Sequence, residues 1–552
     1  MKTKYISLVA LALWSVAGAQ NLSKEIVVDK DIILEQRDVA PLSVQPQLVV
    51  DRLSPVTLPW SQTGVAADPT VSIVALPPVA WRLTVDQSPW RGYVRGGYFP
   101  GFQADLSAGY RVISRENMRL DLWGQYSGLS YKNKIATEKF SLRNNDITVG
   151  SAFRWSPKTG ATLSAAIDYL GALYTMPRYS VAEDITDYSF TQKISDFNAR
   201  IGWQQNVGSV DYSAHLRVGH FEFGHGAFYG AEHLSDRYKA LYQTTLAAGA
   251  DVTKSFSASF AARLVLNYDA MYNPAGYMLG YDGRGIWRDA SDYGVFTIAP
   301  AVDWRRKDFR IHLGLKAYAR TGEVSKFNIY PDVRVDWLPS QQFSIYAAVG
   351  GGRVLLNTMS QLFGRSRYLN PSGIYSPASE KMHFDAGMTV GPFRGFSIEI
   401  TASASKWSRL IMPLAGGMMS IGTYMPTSLK SVTGRVAIRY EYADMLKLRV
   451  GYTAAVRGRN NGCDLWLDRA SGVFDSKIEF TPIQKLTVGC GYGMRVGRHI
   501  YDMDGNQFSL GVARDLNIGA MYRVSDRLAV EVEAHNLTAS RWMVAWGVRN
   551  PG

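Results

Sequence analysis

The chain has 552 residues, a formal net charge of +13, a mean hydropathy of −0.11 and two cysteines, Cys463 and Cys490. Two cysteines exclude a disulfide framework, and their isolation excludes a metal-type spacing. The cations are scattered singly, so the positive balance speaks against a nucleic-acid partner and for a polar wall in contact with lipopolysaccharide.

In chain order, Lys2 and Lys4 precede an apolar run from Ile6 to Val16, and Ala17-Gly18-Ala19 follows with the small residues that signal peptidase accepts. A bilayer-spanning helix needs about 20 apolar residues, so this run is too short to be one. Residues 1–19 are predicted to be a signal peptide removed before Gln20. Residues 20–89 have many prolines and no helical period, which predicts an extended N-terminal arm, periplasmic or lumenal, and not a full domain.

From residue 90 to 552 the pattern has period 2. Tyr212, Ala214, Leu216 and Val218 alternate with Asp211, Ser213, His215 and Arg217. Val432, Val436, Ile438 and Tyr440 alternate with Thr433, Arg435 and Arg439. Successive side chains of a strand point to opposite faces, so each segment carries one apolar and one polar face. Short turns are predicted at Ser114–Asn117, Ser156–Gly160, Asn206–Ser209, Thr253–Ser255, Arg305–Asp308, Pro339–Gln342, Gly391–Gly395, Tyr442–Met445, Thr481–Lys485 and Ser525–Arg527. Long loops alternate with them at Lys132–Arg143, Ala172–Thr191, Glu222–Tyr238, Met271–Asp292, Val354–Lys381, Ser408–Leu429, Gly458–Ser471 and Arg498–Ala513. Short periplasmic turns and long extracellular loops define an outer-membrane barrel, whereas a soluble sandwich has no reason to sort its connections. The predicted fold is therefore all-β, a transmembrane antiparallel β-barrel. About 21 strands are countable up to Leu528–His535. Single-chain barrels close with an even number, so a strand 22 is expected and the C-terminus is read as truncated.

Alternation places Arg200, Arg217, Arg263, Lys316, Arg334, Arg435, Arg439, Lys447 and Arg449 on the polar, lumen-lining face, with fewer acids. Charge along a pore biases which ions enter, which predicts a mild preference for anions. The bland alternative is that these cations pair with acids and brace the wall.

Two motifs carry a family resemblance. Asn370-Pro371 followed by Ser376-Pro377-Ala378-Ser379-Glu380, and Val532-Glu533-Ala534-His535-Asn536-Leu537-Thr538 near the end, resemble stretches of TonB-dependent receptors. The resemblance covers the chain from about residue 90 and implies outer-membrane solute transport. Residues 20–89 are too few for that family's lumen-filling plug, and its closing aromatic-ended strand is absent. Glu25, Ile26, Val27 and Val28 resemble a TonB box, which pairs with TonB by adding a strand to its sheet edge.

Other chemistry was weighed. His220, His225 and His233 are close in sequence, and Asp502 and Asp504 sit in a calcium-like turn, yet neither set has the spacing of a defined metal site. Ser213 and His215 share a face without a hydrolase motif, and Gly350-Gly351-Gly352 suits a bend. The expected function is solute transport across the outer membrane of a Gram-negative cell by a non-enzyme without cofactor. Its expected partners are outer-membrane lipid, lipopolysaccharide, TonB and an unknown solute. The competing reading is a structural or adhesive barrel binding a partner through loops such as Arg178–Phe190 and Asn273–Tyr293.

Overall fold

The computed structural model describes residues 91–549 apart from 100–102, 136–137, 158–159, 178–188, 225–240, 274–277, 280–287, 290–291, 323–325, 366, 368–376, 415–422, 444, 459–469, 502–506 and 546–547. The signal peptide, the N-terminal arm and the candidate TonB box therefore lie outside the described residues.

Alternating polar and apolar residues form 21 main strands, each antiparallel to the next in chain order. They are β1 Gly92–Phe99, β2 Gln103–Arg115, β3 Met118–Ile135, β4 Glu138–Trp155, β5 Ala161–Pro177, β6 Ser189–Val207 and β7 Val210–Phe223. Next come β8 Leu241–Ser257, β9 Phe260–Tyr272, β10 Tyr293–Arg306, β11 Phe309–Thr321, β12 Lys326–Ser340, β13 Phe343–Gly350 and β14 Ala378–Phe393. The series ends with β15 Phe396–Leu414, β16 Thr423–Tyr442, β17 Leu446–Gly458, β18 Gly472–Ile483, β19 Leu486–Val496, β20 Ala513–Arg523 and β21 Ala529–Ala534. The two-residue strand Val354–Leu355 pairs beside them on β14 and brings the sheet to 22 strands. The first and last main strands meet where Arg95 of β1 contacts Glu531 of β21 at 3.0 Å. Residues 543–549 end in a small separate hairpin.

The two faces differ in the way a barrel requires. Along β7, Tyr212, Leu216 and Val218 are exposed on one face, while Phe221 and Phe223 on the other are buried. Exposed apolar side chains continue on the same face of the neighbouring strands, for instance Ile201, Leu264, Ile298, Leu313 and Val432. In water each would forfeit about 1.5–3 kcal/mol of burial, and in lipid none does. Near the short turns this face ends in aromatic residues, among them Trp155, Trp203, Phe256, Trp304, Phe309, Trp337, Tyr442 and Tyr522. Tyr169, Phe197, Tyr242 and Tyr272 stand towards its other end. Aromatic girdles on both sides of an apolar band mark the two membrane interfaces. The opposite, polar face is the lumenal wall.

Nine of the ten expected short turns lie where the sequence places them. The exception is the turn expected at Thr253–Ser255, because β8 runs on to Ser257 and turns at residues 258–259. Thr253 and Ser255 look like turn residues, but they occupy polar-face positions of a continuing strand whose outward neighbour is Phe256. Three expected loops are also largely strand. β3 and β4 pair out to Ile135 opposite Glu138, β5 and β6 to Pro177 opposite Ser189, and β15 and β16 to Leu414 opposite Thr423. Beyond the bilayer no lipid demands an apolar face, so ladder pairing continues through polar residues and the period-2 signal fades.

Candidate functional site

The polar wall is organised first by ion pairs. Nearest the short turns, Arg111 contacts Asp121 at 3.0 Å, Arg263 donates through Nε to Asp251 at 2.9 Å and Lys316 meets Asp332 at 2.8 Å. His312 lies between Asp303 at 2.7 Å and Asp332 at 3.6 Å. Arg334 contacts Asp336 at 2.7 Å while stacking 4.1 Å from the Tyr346 ring centre, and Arg439 meets Glu399 at 3.1 Å. Half-exposed pairs of this kind contribute about 0–1 kcal/mol each, so they orient the wall more than they stabilise it. Asp303, His312 and Asp251 were not singled out from the sequence, although the same alternation that selects the arginines puts them on this face.

Four of the nine nominated cations, Arg263, Lys316, Arg334 and Arg439, thus hold acids. Arg200 and Arg217 stand directly opposite one another on β6 and β7, an arrangement that costs energy unless acids offset it. Asp168 interacts electrostatically with both, and Asp269 with Arg217. On the other side of the sheet Arg439, Arg449 and Lys477 form one lateral row across β16, β17 and β18. Glu399 and Glu479 hold the outer two, the latter at 2.5 Å from Lys477. Among the described residues Arg449, Arg435 and Lys447 make no ion pair, and the Arg435 Nε is buried without a hydrogen bond.

Sequence reasoning missed the second feature of the wall. After β13 the chain bends at Gly350-Gly351-Gly352, with φ of +76° at Gly352. A Cβ at Gly351 or Gly352 would come within 2.8 Å of the Tyr330 ring, so only glycine lets the chain pass. Val354–Leu355 then pairs with Ala378–Ser379, and a short helix, α1 Met359–Arg365, follows. Thr358 caps it: its Oγ1 accepts from the Gln361 amide at 3.2 Å while the Thr358 amide donates back to Gln361 Oε1 at 3.2 Å, a reciprocal capping box. The Thr358-Met359-Ser360-Gln361 spacing was readable in the sequence.

α1 touches the polar faces of strands far from its origin. Ser360 donates to Asp196 of β6 at 2.7 Å, and the Met359 amide donates to Gln243 of β8 at 2.9 Å. Arg367 forks onto Asp146 of β4 at 2.9 and 2.7 Å. Phe363 packs on Tyr174 of β5 and Phe221 of β7, with ring centres 5.9 and 5.8 Å apart, and Met359 and Leu362 are buried.

The base of this segment explains the first family-like motif. Glu380 is buried and contacts Arg353 at 3.4 Å and His383 at 3.3 Å. Its backbone exchanges hydrogen bonds with Gly352 and Arg353, and Arg353 lies 4.8 Å from the Trp407 ring centre. Removing one partner of a buried charge pair costs more than the pair contributes, which suits Glu380 to fixing where the segment leaves the wall.

Of the remaining nominated residues, His220 hydrogen-bonds Thr244 at 3.0 Å and stacks on Tyr242 on the lipid-side face. His225, His233, Asp502 and Asp504 lie outside the described residues. No group of metal-ligating residues occurs among the described ones. Ser213 and His215 sit two positions apart on the polar face of β7, opposite Asp251 and Gly249 of β8.

A lipid-facing apolar band, a charged lumenal wall and connections sorted by length define a transmembrane β-barrel with a TonB-dependent receptor-like fold. Solved structures agree. The chain is similar to the ferric enterobactin receptor PfeA from Pseudomonas aeruginosa, a mutant in complex with enterobactin, with TM-score 0.63, 12% identity and coverage of 84% of this chain and 79% of that one. It is similar to the siderophore receptor PirA from Acinetobacter baumannii, with TM-score 0.61, 10% identity and coverage of 84% and 78%. The FrpB iron transporter from Neisseria meningitidis gives TM-score 0.60, 10% identity and coverage of 83% and 78%. No family profile and no curated protein matches the sequence. At these identities the likeness is one of fold.

Proposed function

We propose that this chain carries a hydrophilic solute across a Gram-negative outer membrane through its lumen, with a mild preference for anions, and catalyses no reaction. The observation that carries the reading is the charged inner wall, above all the row Arg439–Arg449–Lys477 with its middle cation unpaired. Cations without counter-charges raise the local concentration of anions. The fold neighbours named as iron transporters and siderophore receptors support transport as the general activity. Residues 1–19 direct export and are removed. Residues 20–89 serve as a partial plug or, through Glu25–Val28, as a TonB contact.

Proteoliposome swelling tests this directly. Vesicles containing the full chain should swell in small neutral and anionic solutes faster than empty vesicles, and removal of residues 20–80 should change the rate. An adhesive barrel with a blocked lumen would leave both preparations at the rate of empty vesicles.

A further inference from the structure

We infer that the described part of the segment between β13 and β14, residues 351–365 and Arg367, is the constriction element of the lumen and sets the size of the solute that passes. The inference rests on the transport reading above and deepens it. Its basis is where the segment goes. It leaves the wall at β13, yet its contacts are on β4, β5, β6, β7 and β8. In a ring of 21 main strands β4 lies nine strands from β13, close to halfway round. A chain that starts on one side and hydrogen-bonds to the polar face of the other must cross the interior between them.

The crossing is fastened at both ends. At its origin, Gly351 and Gly352 pack on Tyr330, and buried Glu380 holds Arg353 and His383. At the far wall three polar contacts converge on Asp146, Asp196 and Gln243, and Phe363 wedges between Tyr174 and Phe221. Burial of Met359 and Leu362 to 1% exposure each excludes water from this contact and favours the docked position. A wall without this segment would leave a wide lumen, as barrels of about 22 strands do unless filled.

Two measurements test it on the full chain. In a background with Cys463→Ser and Cys490→Ser, oxidation of a Ser360→Cys, Asp196→Cys pair in the membrane-inserted barrel should form a disulfide, leaving the polymer-exclusion limit at that of the unsubstituted protein. Replacing residues 356–367 by a Gly-Ser linker of equal length should admit larger polyethylene glycols and raise single-channel conductance at least two-fold. Should that replacement fail to fold, judged by heat-dependent gel mobility, Arg367→Gln with Asp146→Asn should raise the flicker between conductance levels. Failure of the cross-link, or an unchanged exclusion limit in a conducting linker variant, overturns the inference, as does unchanged flicker in the double variant. A disulfide that forms in a barrel which conducts in neither version supports the segment's place across the lumen and overturns solute passage.

Discussion

Arg95 of β1 donates to Glu531 of β21 at 3.0 Å, a contact between residues 436 positions apart that joins the first main strand to the last. In a meander of antiparallel neighbours only a sheet that curls back on itself brings these edges together. Arg95 is 53% exposed and Glu531 23%, so the pair is one of modest strength. Arg95→Glu should lower unfolding stability in urea by about 0.2–1 kcal/mol, and the added Glu531→Arg exchange should recover most of the loss. Additive losses in the double variant would show that the two strands do not meet.

The bend after β13 yields a contrast between two glycines. Gly352→Ala forces a side chain into a left-handed backbone conformation at φ +76° and against the Tyr330 ring, which should cost at least about 1–2 kcal/mol. Gly364 lies within α1 with nothing near its Cβ position, so Gly364→Ala should be neutral or stabilise by about 0.5–1 kcal/mol. Thermal unfolding of the two variants in detergent checks the difference. Equal effects would contradict the bend as drawn.

Glu380→Ala should be the most damaging of the substitutions considered, lowering stability by about 3–5 kcal/mol, because it strands Arg353 in a site where the carboxylate is nearly enclosed. Glu380→Gln keeps the shape and should cost less. A urea midpoint unchanged by Glu380→Ala would remove this residue from the base of the segment.

Ion selectivity should divide the wall arginines by pairing. Arg449→Gln removes an unpaired cation and should shift the zero-current potential under a salt gradient towards cation preference. Arg263→Gln frees Asp251 as it removes a cation, and its shift in that direction should be larger if field strength alone matters and smaller if Asp251 is already screened. The decisive expectation is that for Arg449→Gln: no shift there ends the anion preference.

Much of this architecture was legible because the bilayer enforces it. Lipid on one side and water on the other impose strict alternation, so Tyr212 to Val218 and Val432 to Tyr440 announce their faces. Where that constraint lapses the signal lapses too: Lys132 to Arg143 reads as a loop, though the ladder continues through it. Thr358 and Gln361 announce a helix through their spacing, but its destination depends on partners 116 to 221 positions away, at Gln243, Asp196 and Asp146. No local pattern encodes such a separation. Alternation likewise selects Arg263 and Arg449 alike, while only the register distinguishes the one that holds Asp251 from the one that holds nothing.

The account depends most on a lumen that solute can traverse, and single-channel recording of the full chain in a planar lipid bilayer tests that most directly. The prediction is discrete conductance steps that persist at high salt and change in size when residues 20–80 are removed. A barrel shown to be folded and inserted, yet electrically silent both with and without those residues, would contradict it.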